Sequence, residues 1–225
     1  MKNLERLEYL IGSENIKKLN RAQVAVIGLG GVGSVAALAL ARSGIGALII
    51  QDHDVVQESN INRQLIANYE TLGRPKVGVM EEEILKVNPD CRVTKLFERF
   101  SAESKLFEHD FQYLIDAIDS VEDKFLLIKE ALKRELSFIS AMGAAKKTDP
   151  SQLEVTSINK TTHDPLARIL RRKLREENLK ADFMVVSSTE APAKIPALGS
   201  YMPVTATAGL LLADYIIKLI TGGMP

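Results

Sequence analysis

Four glycines in six positions, Gly28, Gly30, Gly31 and Gly33, follow a short apolar run at 24–27 and precede an alanine-rich helical pattern. Gly28, Gly30 and Gly33 satisfy the G-x-G-x-x-G spacing. The first glycine permits a tight turn, the second lets a pyrophosphate approach the backbone, and the third lets the following helix pack on its strand. Phosphate would then sit at the helix N-terminus among unpaired N–H groups. A glycine turn that serves packing alone is the competing reading. Asp52 favours the nucleotide: it ends the next strand-like run, Ala47–Gln51, 19 residues after Gly33. That is close to the separation of about 20 residues at which an acid meets ribose hydroxyls.

More polar residues come next. The segment Glu58-Ser59-Asn60-Ile61-Asn62-Arg63-Gln64 lies directly after Asp52, His53 and Asp54, at the carboxyl edge where open α/β sheets bind ligands. Lys76 stands at the start of a helix over 77–87, with Pro75 suited to its first turn. A cation there opposes the helix dipole, so a nearby anion and a solvated lysine both account for it. Asp119 ends the apolar run 113–119. Beside phosphates it is a natural Mg²⁺ ligand, and an N-cap role for the helix over 121–134 is compatible with that. Arg168, Arg171, Arg172, Lys173 and Arg175 crowd the helix over 164–177. They read either as a solvated face or as a surface for RNA phosphates. No acid or base for hydride transfer can be placed, which weighs against a nicotinamide oxidoreductase. Asn60, Arg63, Gln64 and Lys76 facing the glycine turn are equipment for a triphosphate.

These residues need an α/β frame. Leucines and isoleucines at helical spacing over 3–19 give one or two short helices, and strands are expected at 24–27, 47–51, 92–97, 113–119, 137–141, 153–158 and 183–187. Gly44-Ile45-Gly46 stops the first long helix and Asn88-Pro89 the next. The 225 residues are 46% hydrophobic and 26% charged, with 29 basic and 29 acidic side chains, so bulk charge argues for neither nucleic acid nor membrane. A single cysteine, Cys91, excludes an intrachain disulfide and a multi-cysteine zinc site, and fits a reducing, cytoplasmic setting. The first twenty residues lack the apolar core of a signal peptide. The apolar run 206–220, broken by Asp214 and Lys218, is expected to be a core helix too short to span a bilayer.

Together, Gly28-Leu29-Gly30-Gly31-Val32-Gly33-Ser34, Asp52-His53-Asp54, Ser59-Asn60-Ile61-Asn62-Arg63-Gln64, Gly73-Arg74-Pro75-Lys76 and Asn88-Pro89 resemble the ubiquitin-activating-enzyme superfamily, over residues 6–119. That superfamily includes the bacterial adenylyltransferases of molybdopterin and thiamine biosynthesis. The resemblance implies a Rossmann-like α/β fold: a mixed, mainly parallel sheet flanked by helices, in a ThiF/MoeB-type adenylation domain. On that plan residues 1–225 form one domain, with an N-terminal helical arm at 1–22, a nucleotide-binding half at 23–142 and a substrate-binding and dimerisation half at 143–225. It implies ATP and Mg²⁺ as cofactors. Gly28, Gly30, Gly31, Gly33, Asp52 and Asp54 belong to the nucleotide site, with Asp52 on the ribose. Asn60, Arg63, Gln64 and Lys76 take the phosphates and Asp119 the magnesium. Arg6 matches an arginine that reaches across a homodimer, so Arg63, Lys76, Arg6 and Asp119 form the implied catalytic set.

Cysteine usage and the later motifs indicate the branch. Cysteine-x-x-cysteine zinc pairs are absent, and Cys91 lies away from the carboxyl edge, which argues against a thioester. Ile115-Asp116-Ala117-Ile118-Asp119-Ser120-Val121, Asp149-Pro150-Ser151-Gln152-Leu153-Glu154-Val155-Thr156, Lys160-Thr161-Thr162-His163-Asp164-Pro165-Leu166 and Ser187-Ser188-Thr189-Glu190 resemble the tRNA threonylcarbamoyladenosine dehydratases. The loop between Thr189 and Gly199 is short for that group. The implied activity is ATP-dependent cyclisation of the modified nucleoside in tRNA, with the basic helix, and Lys146 and Lys147 beside it, as the candidate tRNA surface and a cysteine desulfurase or a sulfur acceptor as a further partner. The alternatives are adenylation of the C-terminal glycine of a ubiquitin-like sulfur carrier, or a nucleotide-binding module with no chemistry of its own. The ending Gly222-Gly223-Met224-Pro225 is expected to be a glycine stop after the last helix.

Overall fold

The computed structural model describes residues 2–223, so Met224 and Pro225 of the tail lie outside the described residues. Two short helices, α1 (Glu5–Ile11) and α2 (Ser13–Arg21), lead into strand β1 (Gln23–Ile27). There follow α3 (Gly33–Arg42), β2 (Ala47–Gln51), α4 (Lys76–Val87), β3 (Arg92–Leu96), β4 (Tyr113–Asp116), α5 (Val121–Lys133), β5 (Ser137–Ala141), β6 (Leu153–Ser157), α6 (Pro165–Glu176), β7 (Met184–Ser188) and α7 (Met202–Thr221).

The seven strands form one sheet in the order β3-β2-β1-β4-β5-β7-β6, parallel throughout except for the β6–β7 pair. Side chains alternate across it as the period of two requires. Val24, Val26, Leu48 and Ile50 pack with α2, α3, α4 and α7, whereas Ala25, Ile27, Ile49 and Leu114 pack with α5 and α6. The chain winds outward from β1 to β3 and returns to β4 beside β1, so the sheet has a switch point between β1 and β4. Ligands bind outside the carboxyl ends at such a point.

The fold corrects several expectations. β4 stops at Asp116, because Asp116 is fully buried and bonded to Lys124 and Ser140, and residues 117–120 form a loop. Pro75 is the N-cap of α4, leaving Lys76 as the first helical residue. α7 begins at Met202 and runs 20 residues, so it is long and apolar enough to cross a membrane by length and composition, contrary to the shorter run read from the sequence. Its apolar stretch is 56% buried. Gly209 allows this helix to cross α3 closely: a Cβ there would collide with the Val32 carbonyl and meet Val35 Cβ at 2.9 Å. Gly222 ends α7 in the left-handed conformation with its N–H on the Lys218 carbonyl, as a glycine stop does.

Candidate active site

A cavity of about 500 Å³ opens at the switch point. Its floor is the glycine turn, and the three glycines of the fingerprint have separable duties. Gly28 takes φ +90°, and a Cβ there would lie 2.6 Å from the Ala117 carbonyl oxygen. A Cβ on Gly33 would collide with the Gly28 carbonyl, so this position seats α3 on β1. Gly30 is different: its nearest neighbour would be Gln64 Nε2 at 3.9 Å, so its face is left to the cavity. Gly31 lies against the Arg63 carbonyl, 2.9 Å from where a Cβ would stand, which ties the turn to the polar segment. The backbone therefore forms a cradle that side chains would fill, at the open N-terminus of α3.

Asp52, at the end of β2, is buried and fixes the turn from below. Its Oδ2 accepts from Leu29 N at 2.6 Å and its Oδ1 from Asp54 N at 2.8 Å. Each oxygen keeps a lone pair for a ribose hydroxyl. Lys76 is buried, its Nζ 2.8 Å from Asp54 Oδ2 and 3.9 Å from Asp52 Oδ2. Burial works against ionisation of Asp54, but the hydrogen bond and charge of Lys76, aided by His53, prevail and hold its carboxyl below the ordinary value. In the polar segment Asn60 Oδ1 accepts from Gln57 N at 3.1 Å, closing a capping box. Arg63 Nη1 donates to the Ser59 carbonyl at 2.7 Å and to Asn62 Oδ1 at 3.0 Å. No carboxylate pairs with Arg63 among the described residues. Gln64 is buried, and its Oε1 has no partner among the described residues.

Asp119 reaches the same cavity from the loop after β4, exposed and without an ion-pair partner among the described residues. It is not an N-cap: Ser120 holds that position for α5. The acid that performs structural work is its neighbour Asp116. Oδ1 accepts from Ile118 N at 3.0 Å, and Oδ2 is shared by Lys124 Nζ at 2.7 Å and Ser140 Oγ at 2.6 Å, all three side chains fully buried. Sequence reasoning missed Lys124 and Ser140. The one signal was Asp116 itself, an acid inside an apolar strand.

Arg6, on α1, is exposed and does not line this cavity. The five basic residues of α6 do not present one free face. Arg171 reaches back to the Ile158 carbonyl at 2.9 Å and to Thr161, Lys173 pairs with Glu122 at 2.8 Å, and Arg172 pairs with Glu176 one turn on. Arg168, Arg172 and Arg175 are exposed. Lys147 is not beside them in solvent: it is 2% exposed, with Nζ 3.3 Å from Asp164 Oδ2. Asp164 also accepts from Gly143 N at 3.0 Å and caps α6 through Ala167 N at 2.9 Å, joining that helix to the cavity wall at 141–145. Lys146 holds the short loop, donating Nζ to the Ile195 carbonyl and its N–H to the Gly199 carbonyl, both at 2.8 Å. Two of the late motifs meet in space, since Glu190 accepts from Thr148 N and Asp149 N at 3.0 Å. Cys91 is buried and does not line the cavity, and burial pushes its thiol up to about 11.

Comparison with known proteins agrees with this geometry. The family model of the ThiF family matches residues 4–225. The chain is 44% identical to the tRNA threonylcarbamoyladenosine dehydratase of Bacillus subtilis, over 94% of the chain and 92% of that protein. It superposes on crystal structures of the Escherichia coli tRNA N6-threonylcarbamoyladenosine dehydratase in complex with ATP and with AMP, at a TM-score of 0.92 and 35% identity, covering 98% of this chain and 94% of that one. Identity to the sulfur carrier protein ThiS adenylyltransferase of Escherichia coli is 40% but spans 42% of the chain and 38% of that protein.

Proposed function

The chain belongs to the ThiF family, and from that premise we propose that it is an ATP-dependent tRNA threonylcarbamoyladenosine dehydratase. The observation that carries the reading is the cavity itself. It joins an open glycine cradle, an unpaired Arg63, a buried Lys76 and an exposed Asp119, in a chain whose similarity to the dehydratases runs nearly end to end.

The substrate carboxylate is already ionised at neutral pH, since such groups have pKa values of about 4. No general base is needed for its attack on the α-phosphorus of ATP. The carboxylate oxygen forms the new bond to phosphorus, the α–β phosphoanhydride bond breaks, and pyrophosphate leaves. Arg63 and Lys76 offset the charge that gathers on the phosphoryl oxygens, with Asn60 and Gln64 as neutral donors and Asp52 on the ribose. A nitrogen or oxygen of the same nucleoside then attacks the acyl carbon and expels AMP, closing the ring with net loss of one water. An internal nucleophile acts at an effective concentration of about 10⁵ M or more, so the reaction requires no enzyme thiol. The burial of Cys91 accords with that.

Mg²⁺ fits this donor set at Asp119, whose carboxylate is unpaired on the cavity wall. Asp52, His53 and Asp54 also bring ligand atoms within 4.8 Å of one another, but the Lys76 ammonium already occupies that cluster. Magnesium would be held by one carboxylate plus phosphate oxygens and would supply charge neutralisation. Arg6 is assigned to the partner site of a homodimer, consistent with its exposure away from its own cavity. Residues 1–22 are then the arm that carries it, 23–142 the nucleotide half and 143–225 the substrate and dimerisation half. Arg168, Arg172 and Arg175 are the α6 side chains open to a tRNA backbone, and a tRNA substrate places the protein in the cytoplasm.

The test is incubation with ATP, Mg²⁺ and tRNA carrying threonylcarbamoyladenosine, followed by nucleoside mass measurement. Loss of one water, dependent on ATP and reduced about 10²–10³-fold by Arg63→Ala, is expected. An unchanged nucleoside alongside ATP–pyrophosphate exchange dependent on a small carrier protein would transfer the assignment to carrier adenylation. Full function with Arg63→Ala or Lys76→Ala would leave a nucleotide-binding module serving a cysteine desulfurase.

A further inference from the structure

Asp116, Lys124 and Ser140 are fully buried, and none of them lines the cavity. An ion pair taken wholly out of water is often matched or bettered in stability by well-packed apolar side chains of similar volume. Stability alone therefore does not account for this one. The pair flanks the loop 117–120, whose four residues all line the cavity and which carries Asp119.

Both ends of that loop are tied to the pair. Asp116 Oδ2 accepts from Lys124 Nζ at 2.7 Å and from Ser140 Oγ at 2.6 Å, and Oδ1 is left to accept from Ile118 N at 3.0 Å. An acid that bonds the N–H two residues on makes a local turn. Here the bonds from α5 and β5 keep the carboxyl group from rotating out of it. At the far end, Lys124 N donates to the Ser120 carbonyl at 3.0 Å. Lys124 thus holds the start of the loop through its ammonium and the end through its main chain. Between these ties Ala117 N donates to the Ile27 carbonyl at 2.8 Å, and the Ala117 carbonyl packs on Gly28, 2.6 Å from where a Cβ would stand. Asp119 is exposed and has no hydrogen-bond or ion-pair partner among the described residues. The loop backbone is what sets its carboxylate.

We infer that Asp116, locked by Lys124 and Ser140, is a positioning residue for Asp119. Its bond to Ile118 N presets the loop, so that the Asp119 carboxylate meets a metal-bound nucleotide without paying for loop ordering on binding. This rests on the reading of Asp119 as the magnesium ligand.

Equilibrium binding of ATP to the whole protein, titrated with Mg²⁺, tests the assignment. In the wild type Mg²⁺ is expected to tighten ATP binding, and Asp119→Ala to abolish that gain. Asp116→Leu/Lys124→Met removes the acceptor together with both charges, so no buried charge is stranded and the fold is expected to hold. It is expected to need about tenfold more Mg²⁺ for the same gain, with metal-free ATP affinity within about twofold of the wild type. Asp116→Asn/Lys124→Met returns an oxygen to Ile118 N without the charges and is expected to recover the wild-type response, a separation that a role in stability alone would not produce. A wild-type response in the first double variant overturns the inference, and so does a matching loss of metal-free binding or no recovery in the second. If the first does not fold, Ile118→Pro, which deletes the N–H and leaves the ion pair intact, decides by the same readings. No Mg²⁺ response in the wild type, or one that survives Asp119→Ala, removes the magnesium reading of Asp119 and this inference with it.

Discussion

Arg63 and Lys76 are both cavity cations, yet they stand in different electrostatic settings. Among the described residues Arg63 has only carbonyl and amide partners and can meet a phosphate without leaving a carboxylate unpaired. Lys76 must share itself with Asp54. That pairing leaves a pH signature. Because the folded carboxyl of Asp54 titrates below its ordinary value of 3.8, its contribution to stability is complete above that value. It is lost as pH falls through the folded pKa. Urea denaturation of the wild type and Asp54→Asn should therefore show a stability gap that is constant near neutrality and closes in acid below 3.8. A gap independent of pH would mean that Lys76 does not hold the carboxylate. The duties of the three glycines were legible at this scale, because turn, approach and packing are local backbone demands. The partners of Asp116 were not: Lys124 and Ser140 come from other elements and meet it only through strand pairing and the docking of α5.

At the scale of elements, α6 joins the cavity wall to a basic surface through one carboxylate. Asp164 caps the helix, holds Gly143 N and pairs with a buried ammonium. Asp164→Ala should cost about 3–5 kcal/mol, since it strands Lys147 without compensation. Adding Lys147→Met should recover most of that loss in chemical denaturation. The Asp164-Pro165 helix start was readable from sequence, whereas the burial of Lys147 was not, because a lysine next to a lysine carries no mark of which one turns inward. The exposed cations of α6 make a separate expectation. Reversing Arg168, Arg172 and Arg175 to glutamate should weaken tRNA binding and flatten its dependence on salt, because fewer counterions are released. Unchanged affinity and slope would assign α6 to a merely solvated face.

For the whole molecule, the question is how many chains complete one site. The cavity contains the glycine cradle, Arg63, Lys76 and Asp119, while Arg6 lies outside it, on a helix that also exposes Tyr9 and Leu10. If Arg6 serves a partner copy, Arg6→Ala and Arg63→Ala are each defective alone but complement on mixing. Randomly re-formed dimers should regain about a quarter of wild-type activity, since half are mixed and each of those keeps one intact site. No recovery, with exchange of chains verified, would return Arg6 to its own protomer. The continuous sheet from β3 to β6 carries both proposed halves as one body.

By itself the sequence determined the α/β alternation, the glycine turn, the placing of Asp52 at a strand end and the ordered motifs that identify the family, because each depends on neighbours close in the chain. Tertiary structure decided the rest. It ended β4 at Asp116, extended α7 back to Met202, withdrew Lys147 from the surface and committed Arg171 to the Ile158 carbonyl. It also buried Gln51 and Gln64 beside one cavity. The physical reason is common to all of these. Whether a polar group is solvated, paired or left waiting depends on which distant segment packs over it, and the intervals in the chain do not encode that.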